Sequence, residues 1–528
     1  MKCVWFFFLV FSCVSRLPAQ VTYERLIQAE QEPENWLTYS GSYSSQRYSR
    51  LKLIDRNNVG NLMLKWVFQM KTTVHVETSP LIIDGIMYVT DPPNKVHAID
   101  TRTGRTFWSH QRTLPGHINR TVCCGLVNRG LAMLGDKLYW GTLDAHLIAL
   151  DSKTGSVLWD AEVADYRAGY AITGAPLVVK NMVITGIAGG EYGIRGFVDA
   201  YDSETGKQVW RFYTVPGPGE PGNETWEQDS WKTGGAPTWV TGSFDPDLNL
   251  IYWGTGNPGP DWDGSVREGD NLYSSAVVAL DADSGKLRWH YQFTPHDVHD
   301  WDAAQIPVLV DAEFQGRDRK LMLWGNRNAF YYILDRETGK FLLGKAYARQ
   351  TWSDGFTADG RPIVKPNTDP TPEGNLVYPG LIGASNWFSP SYSPKSDLFY
   401  LSVWEDYGSI YFTDESDYKP GDRYLGGVAA KVPDEPGRGV IRALDPWTGE
   451  LKWEHKLQRK PVTGLLSTAG GLVFGGSEEG YFYALDSDSG KDLWRINTGG
   501  QIRAGPITYL SEGKQLVDNR FRQRHIHF

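Results

Sequence analysis

ALDSKTGSVLW, residues 149–159, sets the reading of the whole chain. Alternating apolar residues end on Asp151, as a strand would. Asp-x-x-Thr-Gly then makes a tight turn, with the glycine free to take positive φ and the aspartate capping backbone N–H groups. A second strand follows and finishes on Trp159. The same unit recurs as AIDTRTGRTFW (98–108), AYDSETGKQVW (200–210), ALDADSGKLRW (279–289), ALDPWTGELKW (443–453) and ALDSDSGKDLW (484–494). ILDRETGKFLL (333–343) ends on Leu343 instead, and a worn eighth copy, NVGNLMLKW, ends on Trp66.

A lone β-hairpin cannot bury its own apolar face, so such copies must stack. Another strand pair precedes many of them, for example LIIDGIMYVTD (81–91) and LAMLGDKLYWGT (131–142). Four strands per unit and about eight units predict an all-β, radial β-propeller. The recurrent tryptophans read as packing between neighbouring sheets. Long gaps between repeats, 202–281 and 335–445, carry insertions, and insertions on one face of a propeller commonly build a site.

Composition agrees. The 528 residues include 57 Gly, 29 Pro and 21 Trp, which favours short strands and turns. The formal charge is −9 and no basic stripe occurs, so nucleic acid is not an expected partner. The opening MKCVWFFFLVFSCVSRLPAQ has one Lys, an apolar run and small residues near Ala19. It reads as a secretory signal over 1–20, with a membrane anchor or lipid attachment at Cys13 as alternatives. No later stretch is long and apolar enough to span a membrane. Export predicts a periplasmic or secreted protein.

With the signal gone, the remaining cysteines are the adjacent Cys123 and Cys124. Neighbouring Cα atoms lie about 3.8 Å apart, below the usual disulfide range of ~4.4–6.8 Å. The residues alone therefore favour two free thiols. PHDVHDWD (295–302) crowds two His and three Asp into eight positions. Zinc on His296 and His299 is one reading, but no helix pattern or further ligand supports it. In an extended segment Asp300 and Asp302 share a face, with Trp301 opposite.

The repeat, together with TVCCGLVNRG (121–130), GGEYGIRGF (189–197), WGTGNPGP (253–260), PHDVHDWD and GNRNAFYYILDRETG (325–339), resembles the pyrroloquinoline quinone (PQQ)-dependent alcohol dehydrogenases. These include methanol and ethanol dehydrogenases. The match runs from about Trp36 to Pro506, in the expected order. It implies an eight-bladed propeller of four-stranded antiparallel blades over residues 21–517, with PQQ and one chelated metal ion on the axis. It implies a Cys123–Cys124 disulfide covering one quinone face, which reverses the reading as free thiols, and Trp239 stacked on the other. Arg129 matches an arginine on a quinone carboxylate, Glu77 its acidic neighbour, and Thr173 a hydroxyl donor. Arg327 matches the arginine at the reactive carbonyl and Asn386 a further polar contact, although GNRN departs from the family's commoner run at Arg327. Ala188 replaces a frequent serine, so one cofactor hydrogen bond is expected to be missing.

Glu191 and Asn257 match metal ligands, and both are oxygen donors suited to a hard cation. Their contexts, including Gly189 and Gly190 as cofactor contacts, permit close backbone approach. Asp300 matches the catalytic base and metal contact. Asp302 matches the extra carboxylate of lanthanide-using members, leaving lanthanide or Ca²⁺ as the ion. The implied activity is oxidation of a primary alcohol to an aldehyde, with electrons leaving to a cytochrome c. No Cys-x-x-Cys-His occurs for an attached haem, and no G-x-G-x-x-G precedes a helix for NAD. A quinoprotein acting on sugars or polyols, and a non-enzymatic envelope scaffold, are the rival readings. A homodimer is compatible with the resemblance.

The tail, DNRFRQRHIHF (518–528), departs from the family, which continues with an apolar, Gly-containing strand pair. It resembles a frameshifted or truncated gene end, and a propeller lacking a strand there is expected to lose stability.

Overall fold

A computed structural model describes residues 21–520, apart from 73, 435 and 436. The expected signal over 1–20 and tail residues 521–528 lie outside the described residues. Among the described residues, no helix is long and apolar enough to cross a membrane.

The second sheet shows why the repeat folds as it does. Ala132–Leu134 (β1), Lys137–Gly141 (β2), His146–Asp151 (β3) and Val157–Glu162 (β4) form an antiparallel meander in that order. In the turn between β3 and β4, Asp151 Oδ1 accepts from the amides of Lys153 and Thr154 at 3.0 and 2.8 Å. Gly155 sits at φ 73°, where a side chain would be strained. A Cβ at that glycine would also lie 2.5 Å from the Trp108 ring. The glycine is thus required twice, for the turn and for the tryptophan of the preceding sheet.

That contact repeats around the molecule. Five of the six repeat tryptophans donate the indole N–H to a carbonyl at the turn of the next sheet: Trp108 to Ser152, Trp159 to Ser203, Trp210 to Ala282, Trp289 to Arg336 and Trp453 to Ser487, all at 2.9–3.2 Å. The apolar ring packs while its one polar atom is satisfied. The tryptophans are inter-sheet packing, as the repeat predicts. Six four-stranded sheets and one of five strands follow one another along the chain. The fifth strand, Tyr48–Ser49, adds in parallel to Leu466–Thr468. Nearby, the buried Arg47 donates to the carbonyls of Leu465, Tyr39 and Pro506, tying the N-terminal segment to the last two sheets.

The eighth unit differs. Among the described residues its sheet has two strands, Ile507–Ser511 and Lys514–Asp518. Trp66 occupies the position of a repeat tryptophan, with its indole on Thr101 O at 2.9 Å and its ring under Gly104. Yet residues 62–70 form no strand. Between them and Gln515–Arg520 lies a cavity of about 500 Å³, lined also by Phe482, Trp494 and Tyr509. Met63, Leu64 and Val67 are 89%, 74% and 59% exposed. Among the described residues, no partner strand covers these side chains.

Candidate active site

The loops between sheets converge on one locus. Glu191 sits on a 3₁₀ turn, Gly190–Tyr192, bracketed by Gly189 (φ 125°) and Gly193 (φ 62°). A Cβ at Gly189 would strike Gly169 O at 2.2 Å. One at Gly190 would press on the Pro237 ring at 3.0 Å and stand 3.9 Å from Asn257 Oδ1. The two glycines therefore let the Glu191 turn close on Asn257. Gly256 acts likewise, since a Cβ there would lie 2.4 Å from Asp302 Oδ1.

Asp302 is the hub. Its Oδ1 accepts from the Asn257 amide at 2.7 Å, while Oδ2 accepts from Arg327 Nη1 at 2.6 Å and Trp239 Nε1 at 3.2 Å. Arg327 also faces Asp300, with Nη2 3.5 Å from its Oδ2, and donates to Leu381 O at 2.6 Å. Asp300 takes the left-handed conformation at φ 61°, and its side chain keeps 24% exposure while that of Asp302 keeps 8%. Both aspartates thus face Arg327, and Trp301 between them is fully buried with its indole on Gly380 O.

The rest of PHDVHDWD is structural. His296 Nδ1 lies on Gly269 O, and His299 Nε2 on Thr368 O, while the His299 ring stacks on Trp301. Asp297 accepts from Ser275 Oγ and from the amides of His299 and Trp301. The two histidines are engaged with separate carbonyls, which is not a zinc geometry.

Cys123 and Cys124 form a disulfide across Cα atoms 3.8 Å apart, as the resemblance implies and against the reading from spacing alone. Cys124 Sγ lies 3.5 Å from Glu191 Oε1, so the disulfide borders the acidic cluster. Disulfide sulfurs are not thiolates, and the pair is not itself a metal site. On the other side, Arg129 lies between two indoles, 4.8 Å from the Trp239 ring and 4.9 Å from Trp387. It pairs with Glu77 at 2.8 Å, while its Nε and Nη1 are buried with no hydrogen-bond partner. Glu77 is also 3.7 Å from Arg503, which sequence reasoning missed. Thr173 Oγ1 donates to Trp239 O at 3.2 Å. Asn386 is spent within its own turn, donating to Ile382 O and accepting from the Trp387 amide, both at 2.8 Å. It shapes the loop that presents Trp387. Ala188 pairs its backbone with Ala171 and brings no side-chain donor.

A fourth carboxylate escaped the sequence reading. Asp261 is 2% exposed and accepts from Asn257 Nδ2 at 2.8 Å. Burial pushes all four acids above the usual carboxylate range: Glu191 and Asp302, and further still Asp261 and Asp300. Arg327 opposes this at Asp300 and Asp302, while repulsion from Asp302 adds to it at Asp300 and from Asp297 at Asp302. Four close carboxylates with one arginine in contact leave a surplus of negative charge. A hard cation with oxygen ligands fits that surplus, and the unpartnered guanidinium nitrogens of Arg129 and Arg327 Nε fit an anionic, planar group beside it.

The comparisons agree with this geometry. Residues 36–346 match the family described as glucose/ethanol/alcohol dehydrogenase, beta-propeller domain. Residues 437–517 match the repeat of outer membrane protein assembly factor BamB. The chain is 38% identical to the quinoprotein alcohol dehydrogenase PedH of Pseudomonas putida, over 94% of this chain and 88% of that protein. Among solved structures, the quinohemoprotein alcohol dehydrogenase ADHIIG of Pseudomonas putida HK5 superposes with TM-score 0.90 at 37% identity, covering 95% of this chain and 78% of its own. A europium-containing methanol dehydrogenase gives 0.88 at 35%, covering 94% and 91%. The disulfide, the clustered acids and these likenesses lead to one conclusion: the chain belongs to the PQQ-dependent quinoprotein alcohol dehydrogenases, with a β-propeller fold.

Proposed function

We propose that this chain oxidises a primary alcohol to the aldehyde, with PQQ and a trivalent lanthanide as its resident groups and a cytochrome c as electron acceptor. The observation that carries the reading is the convergence of Glu191, Asn257, Asp300, Asp302 and Arg327, with the Cys123–Cys124 disulfide on one side and Trp239 on the other. Glu191, Asn257, Asp300 and Asp302 would hold the ion. Arg129, Glu77, Thr173 and Trp239 would hold the quinone. When bound, the quinone supplies a two-electron acceptor and the ion polarises it.

The chain's own part follows from its geometry. Asp300 combines partial exposure with a carboxylate held toward Arg327, so it can receive the proton of an alcohol hydroxyl. Arg327 fixes Asp300 and Asp302 and places positive charge where negative charge develops. Three ligand carboxylates favour a trivalent over a divalent ion, since each attraction scales with ion charge. The europium-containing relative supports the same choice. The apolar leader over 1–20 supports export to the periplasm.

The test is reconstitution of apoprotein with PQQ plus La³⁺ or Ca²⁺, followed by alcohol-dependent dye reduction. Turnover with short primary alcohols is expected, higher with La³⁺. Bound quinone without turnover on any alcohol or polyol, with either ion, would overturn the reading. A colourless protein that takes up no quinone would favour a scaffold.

A further inference from the structure

We infer that Asp261 is a positioning residue for the metal, turning the Asn257 carbonyl toward the ion and adding a fourth negative charge that favours a trivalent one. The inference rests on the reading of Glu191, Asn257, Asp300 and Asp302 as the ion's ligands.

Three buried carboxylates elsewhere in this protein show how such a group is compensated. Asp199 has Arg211, Tyr201 and Gln208. Asp297 has a hydroxyl and two backbone amides. Asp245 has Arg336 at 2.7 Å. Asp261 is different. Among the described residues it makes no ion pair within 4.0 Å, and Asn257 Nδ2 is its side-chain donor. The nearby Arg267 spends its donors on Pro260 O, Asn271 Oδ1 and Asp297 O. An isolated buried carboxylate is costly. A cation beside Asn257 offsets that cost.

The geometry assigns two separable effects. Because Nδ2 of Asn257 is held by Asp261, its Oδ1 is turned away from Asp261, to the side where Gly190 and the Glu191 turn approach. Orientation of a metal ligand by an outer hydrogen bond of this kind commonly changes affinity about 10–100-fold. The charge acts differently. Its attraction scales with ion charge, so the logarithmic effect on a trivalent ion is about 3/2 that on a divalent ion.

The experiment is calorimetric titration of quinone-loaded, metal-stripped protein with La³⁺ and with Ca²⁺. Asp261→Asn keeps an acceptor for Asn257 but removes the charge. If it weakens Ca²⁺ about tenfold, it is expected to weaken La³⁺ about 30-fold. Asp261→Ala leaves Asn257 Nδ2 with only its longer 3.3 Å bond to Pro258 O and is expected to weaken both ions by a further common factor. Asp261→Glu keeps the charge and is expected to keep the wild-type La³⁺:Ca²⁺ ratio, which preserves the test where the neutral variants fold poorly. Wild-type affinities in Asp261→Asn, or equal losses for both ions, would overturn the inference. Wild-type protein that binds neither ion would instead overturn the ligand reading on which it rests.

Discussion

The acidic site and the seam beside Trp66 each carry a surplus, of opposite kinds. The site gathers four acids, two buried and two half-buried, with Arg327 in contact with Asp300 and Asp302. The seam gathers Leu62–Met70, Phe482, Trp494 and Tyr509 around a cavity of about 500 Å³. Surplus charge is relieved by an ion of opposite sign, and surplus apolar surface only by packing. The account therefore divides the molecule: the site sets activity and metal-linked stability, and the seam sets the resistance of the ring to opening.

The sharpest way to break that division is to remove the proposed base. Asp300→Asn is expected to lower kcat about 10²–10⁴-fold, with the metal-free thermal midpoint unchanged or slightly raised, because a buried repelling charge is removed. A stability loss matching the activity loss would contradict the division. Next in size is Trp66→Ala. It removes the ring packed under Gly104 and the indole bond to Thr101, and is expected to cost about 3–5 kcal/mol in urea unfolding while leaving La³⁺ affinity intact. A change in metal affinity of tenfold or more would show that seam and site are coupled.

A third measurement concerns pH. In the cation-free protein the carboxyls of Glu191, Asp300 and Asp302 titrate above the usual range. The folded state then holds protons that the unfolded chain gives up. The stability they contribute is complete below the ordinary carboxylate range and is lost as pH rises through the raised folded values. A bound cation replaces those protons. At a fixed La³⁺ concentration the rise in thermal midpoint is therefore expected to be larger at pH 8 than at pH 5, and the stabilisation reaches about 2.7 kcal/mol where La³⁺ is in hundredfold excess over Kd. A pH-independent rise would contradict the raised carboxyls. The smallest effect belongs to Met63→Lys, at a side chain 89% exposed. It is expected to change stability by no more than about 0.5 kcal/mol but to reduce binding of a hydrophobic dye at the seam.

The same contrast marks what the sequence discloses. The repeat is legible because its parts are local: Asp151, Thr154 and Gly155 lie within five residues and close one turn. Trp66 is legible as the end of a repeat. The unpaired strand position beside it is not, because pairing depends on residues more than 400 positions away. Spacing alone misjudged Cys123 and Cys124, and the family resemblance corrected it. Asp300 and Asp302 were visible as a pair, and both do face Arg327, but through a left-handed Asp300 at φ 61° and not through the extended backbone assumed. Asp261 was hidden, since an aspartate in a Gly- and Pro-rich loop reads as solvated until its burial and its bond to Asn257 are seen. Asn386 shows the converse, a motif residue whose amide serves its own turn.

The central claim is that the four axial oxygen-donor residues hold a cation against a quinone in a working dehydrogenase. Reconstituting metal-stripped protein with PQQ and then titrating La³⁺ tests it most directly. The account predicts primary-alcohol-dependent dye reduction that rises with La³⁺, saturates at one ion per chain and falls at least tenfold in Asp302→Ala. Full turnover without any cation, or equal La³⁺-dependent turnover in Asp302→Ala, would contradict it.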